Sequence, residues 1–289
     1  MFNNPRRLPG GTAAPPSTPR TGYRRCATDN SRGARLTAMT TIDLNADLGE
    51  STGGNPVADD AAMIALISSA NVACGFHAGE PHGIATTVKA AAERGVVVGA
   101  HVGYHDISGF GRRFIDYAPA ELADEVLYQI GALDALARAA GTSVRYVKPH
   151  GALYNTIVHN REHAQAVIDG VKAFGDLPLM LLPGGVACTL AEEAGLRVIH
   201  EAFADRAYNP DGTLVSRREP GAVLTDPQAV ADRVLQVATT GAVTAHDGTV
   251  LNVAAESVCV HGDSPGAVQL TQAVVEALHN KGVEIRSFL

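Results

Sequence analysis

Apolar runs of strand length recur along this chain, and each of six of them is followed by a short polar cluster. The clusters are Asn45, Asp47 and Glu50; His77; His101 with His105; Lys148 with His150; Glu201 with Asp205 and Arg206; and His261 with Asp263. Carboxylates, imidazoles and a lysine are the side chains that move protons, bind metals and polarise carbonyls. Placed repeatedly where a buried strand meets a loop, they constrain the fold to one in which many strand ends meet at a single site. The pattern reads as an enzyme.

Between the strand-like runs lie amphipathic helical patterns, so the chain is α/β. Strands are expected at Thr41–Ala46, Asn71–Cys74, Val96–Ala100, Val144–Val147, Leu179–Leu182, Val198–Phe203 and Ser257–Val260. Helices are expected at Asp59–Ser69, Pro81–Arg94, Pro119–Ala140, Arg161–Phe174, Val186–Ala194, Pro227–Thr240 and Pro265–Asn280. In the third of these, Leu122, Val126, Leu127, Ile130, Leu133 and Leu136 fall at helical spacing and mark a face packed on a sheet. Seven strands with polar C-terminal ends fit a closed or nearly closed, TIM-like (β/α) barrel, whose site sits at the C-terminal rim. An open doubly wound sheet would concentrate its chemistry at one switch point, usually beside a glycine-rich loop. Gly49, Gly53 and Gly54 follow the first strand, but their spacing is not GxGxxG and no GK[ST] occurs, so no nucleotide-binding loop is present.

The charge is unevenly spread. Residues 1–38 hold seven arginines against one acid, Asp29, so a formal −7 for the whole chain becomes −13 for the remainder. An acidic body repels phosphate backbones, which argues against nonspecific nucleic-acid binding and for a small-molecule or protein partner. The same 38 residues are rich in Pro, Gly, Ser, Thr and Arg without apolar period. They read as a disordered extension, with Met39 as the start of a single barrel domain over 39–289. Cys26, Cys74, Cys188 and Cys259 lack CxxC spacing and read as buried thiols of a reducing compartment. With an apolar share of 46% but no apolar stretch of spanning length, and no secretory signal, the expectation is a soluble, cytoplasmic protein.

Alternation in Ile42–Glu50 places Asp43, Asn45 and Asp47 on one side of a strand, which in a barrel is the lumen. Inward carboxylates suit a general base or a metal ligand. His77 stands between two glycines before a helix, His101 ends the next strand and His150 follows the one after. With Asp47, these histidines either share proton transfer or hold a divalent metal, for which Asp47, His77 and His101 are the candidate ligands. Lys148, at the end of an apolar strand, must meet an anion: a substrate carboxylate, a phosphate or a first-strand acid. Phe110–Arg113 either clamps an anion, covers the rim or is a solvated loop, and His82, His159, His163, His246 and His279 receive no role.

Eight segments taken together resemble the LamB/YcsF family, described as the A subunit of 5-oxoprolinase: IDLNADLGE, ANVACGFHAGEP, GAHVGYHD, GFGRR, VKPHGALYN, EAFADRAY, LVSR and CVHGD. The resemblance spans Thr41–Leu289 and departs at Val102 and His105, where the family often has prolines. It implies a seven-stranded barrel like that of polysaccharide deacetylases. It also implies ATP-dependent hydrolysis of 5-oxo-L-proline to L-glutamate together with companion subunits B and C, ATP being bound with those partners. In that setting Asp47 or His77 activates water, while Lys148 and His150 hold the substrate carboxylate or stabilise developing negative charge. Asn45, Glu50, His101, Glu201, Asp205, Arg206, His261 and Asp263 bind or support. Two other readings compete: a metal-dependent deacetylase or amidohydrolase acting alone, and a noncatalytic subunit that presents 5-oxoproline or a sugar to a partner.

Overall fold

The computed structural model describes residues 41–262 and 266–289. Seven parallel strands close into a ring: β1 (Thr41–Leu48), β2 (Ser69–Ala73), β3 (Val97–Val102), β4 (Val144–Pro149), β5 (Leu179–Leu181), β6 (Val198–Phe203) and β7 (Ser257–Cys259). Each strand pairs with the next in chain order, and β7 returns to β1 with Asn45 opposite Cys259, so the expected barrel is closed. The helices are α1 (Asp60–Ile64), α2 (Pro81–Glu93), α3 (Pro119–Ala139), α4 (Gly151–Thr156), α5 (Arg161–Phe174), α6 (Val186–Glu193), α7 (Pro227–Thr240) and α8 (Ala267–Asn280). In α2, Pro81 occupies the first turn and Ile84, Thr87, Val88 and Ala91 form the buried stripe. Among the described residues, no helix is long and apolar enough to cross a membrane.

Three boundaries differ from expectation for one reason: the ladder overrides local propensity. The helix expected over Asp59–Ser69 stops at Ile64, because the Ser68 amide donates to the Leu44 carbonyl at 2.9 Å and Ser69 already pairs with Asn45. Strand β1 continues to Leu48 and β3 to Val102, so Asp47 and His101 lie inside the ladder. Helix α4 is too short for a readable period. A strand pair, Ala242–Thr244 with Val250–Asn252, and a short strand, Glu284–Ile285, alongside β1 were likewise not expected. The 1–38 extension, Met39, Cys26 and Asp263 lie outside the described residues.

The lumen is polar along much of its length. The Asp43 carboxylate accepts from the hydroxyls of Ser68 and Ser69, each at 2.6 Å, and from Ser257. One level up, Asn45 donates to Ser257 Oγ at 2.7 Å and accepts from Asn71 Nδ2 at 2.6 Å. Tyr146 reaches across to donate to Asn71 Oδ1 at 2.6 Å. Tyr146, Met180 and Ile199 with Phe288 of the C-terminal segment form an apolar plug. Cys74, Cys188 and Cys259 are free buried thiols, as expected.

This packing is tight enough to test at two positions. A Cβ at position 99 would overlap the Tyr146 ring. Gly99→Ala is therefore expected to lower the melting temperature by about 4 to 8 °C, corresponding to about 2 kcal/mol of overpacking; an unchanged melt would show that the ring moves freely. Burial pushes the Asp43 carboxyl up from 3.8 to about 6, against the lowering effect of its serine hydrogen bonds. The folded state then binds more protons than the unfolded chain between those values, so this group's contribution is present below pH 4 and lost as pH rises through about 6. Urea titrations of Asp43→Asn and the parent at pH 4 and pH 8 are expected to show their stability difference changing by about 2 kcal/mol, with the parent losing ground at high pH.

Candidate active site

The C-terminal end of the lumen is built around Lys148. Its ammonium lies 2.7 Å from Glu201 Oε1 and 3.2 Å from Asp47 Oδ1, and donates to Asn45 Oδ1 at 3.1 Å and Cys259 Sγ at 3.2 Å. Burial disfavours its charge, but Asp47 and the neighbouring acids hold its pKa well above the ordinary lysine value. Tyr154 donates to the other Glu201 oxygen at 2.8 Å. Of the anions open to Lys148 from the sequence, the protein supplies a first-strand acid and adds Glu201. Asp47 differs from its neighbours in exposure: its side chain is 17% accessible, against 3% for Lys148 and none for Glu201. Burial alone would raise the Asp47 pKa, yet His101 and Lys148 hold it well below the usual carboxylate range.

A wall of histidines stands beside Asp47. The His101 Nδ1–H donates to the Lys148 carbonyl at 2.9 Å, which leaves Nε2 facing Asp47 Oδ2 at 3.3 Å and His150 Nδ1 at 3.0 Å. His150, at the N-cap of α4, donates its Nε2–H to the Phe110 carbonyl at 2.9 Å. His77 stacks on His150 with centroids 3.8 Å apart and sits 3.0 Å from Glu50 Oε1 through Nε2, while its buried Nδ1 has no hydrogen-bond partner. Burial and then Asp47 set the balance at His101, and the carboxylate wins, raising its pKa. At His77 and His150, burial followed by neighbouring imidazoles drives the pKa well below the ordinary value. Gly111 lets the Phe110–Arg113 loop lie on this wall: its φ is +60°, and a Cβ there would come within 2.7 Å of His77 and of His150. The loop thus covers the rim. Glu50, His77, His101 and His150 together form a group that could hold a metal ion, and Asp47, Cys259 and His261 form a second.

Above these groups opens a cavity of about 810 Å³, lined on its floor by Asp47, Glu50, His101, Lys148 and His150. Beside Asp47, with a ring nitrogen within 4.8 Å of its carboxylate, His261 pairs through Nδ1 with Asp205 Oδ1 at 2.7 Å. Burial would raise Asp205, but His261 holds its pKa down. Arg206 donates to the Val215 carbonyl at 2.7 Å, and burial together with the charge of Arg217 lowers its pKa to about 10. Arg112, Arg206, Arg217 and Arg218 all line the cavity.

The structure brings together Asn45, Asp47, Glu50, His77, His101, Lys148, His150, Glu201, Asp205, Arg206 and His261 from the sequence-derived set. His77 is fully buried behind the wall and does not line the cavity. His105 is exposed, stacked on Phe76 at 4.5 Å and turned away from the site. His159, given no role, lines the cavity, and buried His163 accepts from or donates to Tyr104 Oη at 2.6 Å. Sequence reasoning missed Asn71, Tyr154 and Cys259, which sit in apolar-looking runs, and Arg217, whose only signal is its place in LVSR.

Lys148 is the group whose removal this arrangement tolerates least. Lys148→Met leaves Glu201 without its cation and Asp47 with His101 alone, and is expected to cost about 3 kcal/mol of unfolding free energy in denaturant titration. Adding Glu201→Gln should restore part of that loss. Simple additivity of the two substitutions would show that the pair does not interact.

Comparison with known proteins agrees with this geometry. The sequence profile of the LamB/YcsF family matches residues 42–289. Over 249 residues the chain is 70% identical to the 5-oxoprolinase A subunit of Corynebacterium jeikeium (strain K411), covering 86% of this chain and 96% of that protein. It is 61% identical over 251 residues to the 5-oxoprolinase A subunit of Mycobacterium avium (strain 104), covering 86% of this chain and all of that one, 100%. Among solved structures, the lactam utilization protein from Thermus thermophilus superposes with a TM-score of 0.82 at 47% identity, over 86% of this chain and 100% of that chain. A closed seven-stranded barrel with IDLNADLGE, VKPHGALYN and EAFADRAY at the C-terminal ends of its strands, matched over residues 42–289, belongs to the LamB/YcsF family.

Proposed function

We propose that this chain carries the lactam-opening site of an ATP-dependent 5-oxoprolinase, converting 5-oxo-L-proline to L-glutamate together with subunits B and C. The observation that carries the reading is the open Asp47 carboxylate on the floor of an arginine-rimmed cavity, in a chain this similar to proteins named as the A subunit of 5-oxoprolinase. A five-membered lactam is a poor electrophile. Phosphorylation of its carbonyl oxygen by ATP makes the carbon reactive toward water, and C–N cleavage then gives an acyl phosphate. Hydrolysis of that acyl phosphate releases phosphate and glutamate. The absence of a phosphate loop in this sequence supports a division of labour in which ATP is bound with the partner subunits.

Of the two candidates for activating water, Asp47 faces the cavity and His77 does not. Asp47 is therefore assigned the attacking water. Lys148 already faces four acceptors, so it acts as a positioning residue that keeps Asp47 in place. The substrate carboxylate and any phosphoryl oxygen are assigned to the arginine side of the cavity, where Arg206 is backed by Arg217.

Reconstitution with subunits B and C tests this. Glutamate release from 5-oxoproline is expected to require ATP and both partners, to fall by about 10² to 10⁴-fold in Asp47→Asn, and to persist in His105→Ala. Normal turnover by Asp47→Asn would remove the assignment. The four-donor cluster is the observation that supports the rival reading of an independent metal-dependent hydrolase. Hydrolysis of an acetylated sugar or cyclic amide by this chain alone, without nucleotide, would favour that rival. Ligand binding with no effect of Asp47→Asn on turnover would favour a presenting role.

A further inference from the structure

Four strand ends deliver one donor atom each to a single point beside Asp47. The donors of Glu50, His77, His101 and His150 lie within 4.8 Å of one another, and all four residues are buried. The short edges of this group are 3.0 Å between His77 Nε2 and Glu50 Oε1, 3.0 Å between His101 Nε2 and His150 Nδ1, and 3.6 Å between His150 Nδ1 and Glu50 Oε1. A tetrahedral ion with bonds of about 2.1 Å requires ligand atoms about 3.4 Å apart. Three of the six edges are already near that spacing, and all six are within 4.8 Å.

Backbone carbonyls fix two of the tautomers. A carbonyl can only accept, so His101 carries hydrogen on Nδ1, toward Lys148, and His150 carries hydrogen on Nε2, toward Phe110. Two neutral rings fixed in this way turn the lone pairs of His101 Nε2 and His150 Nδ1 toward each other at 3.0 Å. Such a contact needs a positive species between or beside the two nitrogens, either a proton or a metal ion. Carbonyls that orient the distal nitrogen are also the usual outer support of a metal-bound imidazole. A single shared proton would satisfy this one pair and a His77 Nε2–H donated to Glu50 the other, but neither explains why the two pairs meet, with His150 Nδ1 3.6 Å from Glu50 Oε1.

We propose that Glu50 Oε1, His77 Nε2, His101 Nε2 and His150 Nδ1 form a divalent-cation site. Three imidazoles and one carboxylate favour zinc or a similar borderline first-row ion over magnesium or calcium, which prefer oxygen. Asp47 is not one of the four donors. It borders the site through His101, which revises the sequence-derived ligand set of Asp47, His77 and His101. This inference is independent of the lactam reading, because occupancy is measured without turnover.

The test is elemental analysis of the full chain as purified, and again after chelation and dialysis against Zn²⁺, with cobalt(II) substitution as an optical probe. One ion per chain is expected, with intense visible absorption in the cobalt form typical of four-coordination. Glu50→Gln and His150→Ala should each weaken Zn²⁺ affinity by at least about tenfold. His105→Ala, on the far side of Phe76, should bind as the parent does. Glu50→Gln preserves side-chain shape, so it reports on the site even where His150→Ala fails to fold. Less than a tenth of an ion per chain after zinc dialysis, or undiminished affinity in Glu50→Gln, would overturn the proposal and leave the shared proton as the species between His101 and His150.

Discussion

The rest of the site depends on one buried charge. An ammonium inside a barrel is costly unless it is paired, and Lys148 meets that condition with carboxylates from two distant strands, Asp47 of β1 and Glu201 of β6. Each partner is then fixed in turn, Asp47 by Asn71 at 2.8 Å and Glu201 by Tyr154. A slip of β4 by one residue would turn Lys148 out of the lumen, leaving Glu201 without its cation and Asp47 with His101 alone. The ion pairs therefore specify strand register as well as chemistry. Barrels of this general type fill their interiors with branched apolar side chains. Here the apolar filling is largely confined to the Tyr146, Met180, Ile199 and Phe288 plug, and serines, asparagines and acids occupy the levels above.

What could be read in the sequence follows from this construction. The period of two in Ile42–Glu50 placed Asp43, Asn45 and Asp47 in the lumen, and the hydrogen bonds confirm that all three point there. The same rule distinguishes His101 from His105. His101 is a lumen position of β3, whereas His105 comes after the strand has ended, where the period no longer determines direction. Pairings between strands were not legible. Lys148 could have met a substrate, a phosphate or an acid, and only the closed ring brings Glu201 within reach. Asn71, Tyr154 and Cys259 were missed because uncharged residues in apolar runs carry no signal until their partners are known. Helix α1 was overextended because Leu44 and Asn45, more than 20 residues earlier, recruit Ser68 and Ser69 into the sheet.

The cavity lining is more basic than the chain as a whole: Arg112, Lys148, Arg206, Arg217 and Arg218 offset Asp47, Glu50, Asp211 and Glu219. Even with its arginine-rich first 38 residues, the chain carries a formal −7, and the remainder is more acidic still. Such a body repels anions at long range. The arginines lining the cavity offset that field locally, because within a low-dielectric cleft charges close to a ligand count for more than dispersed distant ones. Arg206 and Arg217 are close enough to depress the Arg206 pKa, a cost that a bound anion would relieve.

Floor and rim thus divide the work by charge state. On the floor, Lys148 faces four acceptors and His101 donates its Nδ1–H to the Lys148 carbonyl. A group so fully engaged cannot be repurposed to bind substrate without losing the partner that justifies its burial. Asp47 is the exception, because its exposure lets it approach a reactant while Lys148 and Asn71 keep its orientation. In the proposed reaction, recognition of a charged ligand therefore falls to the rim and activation of water to Asp47.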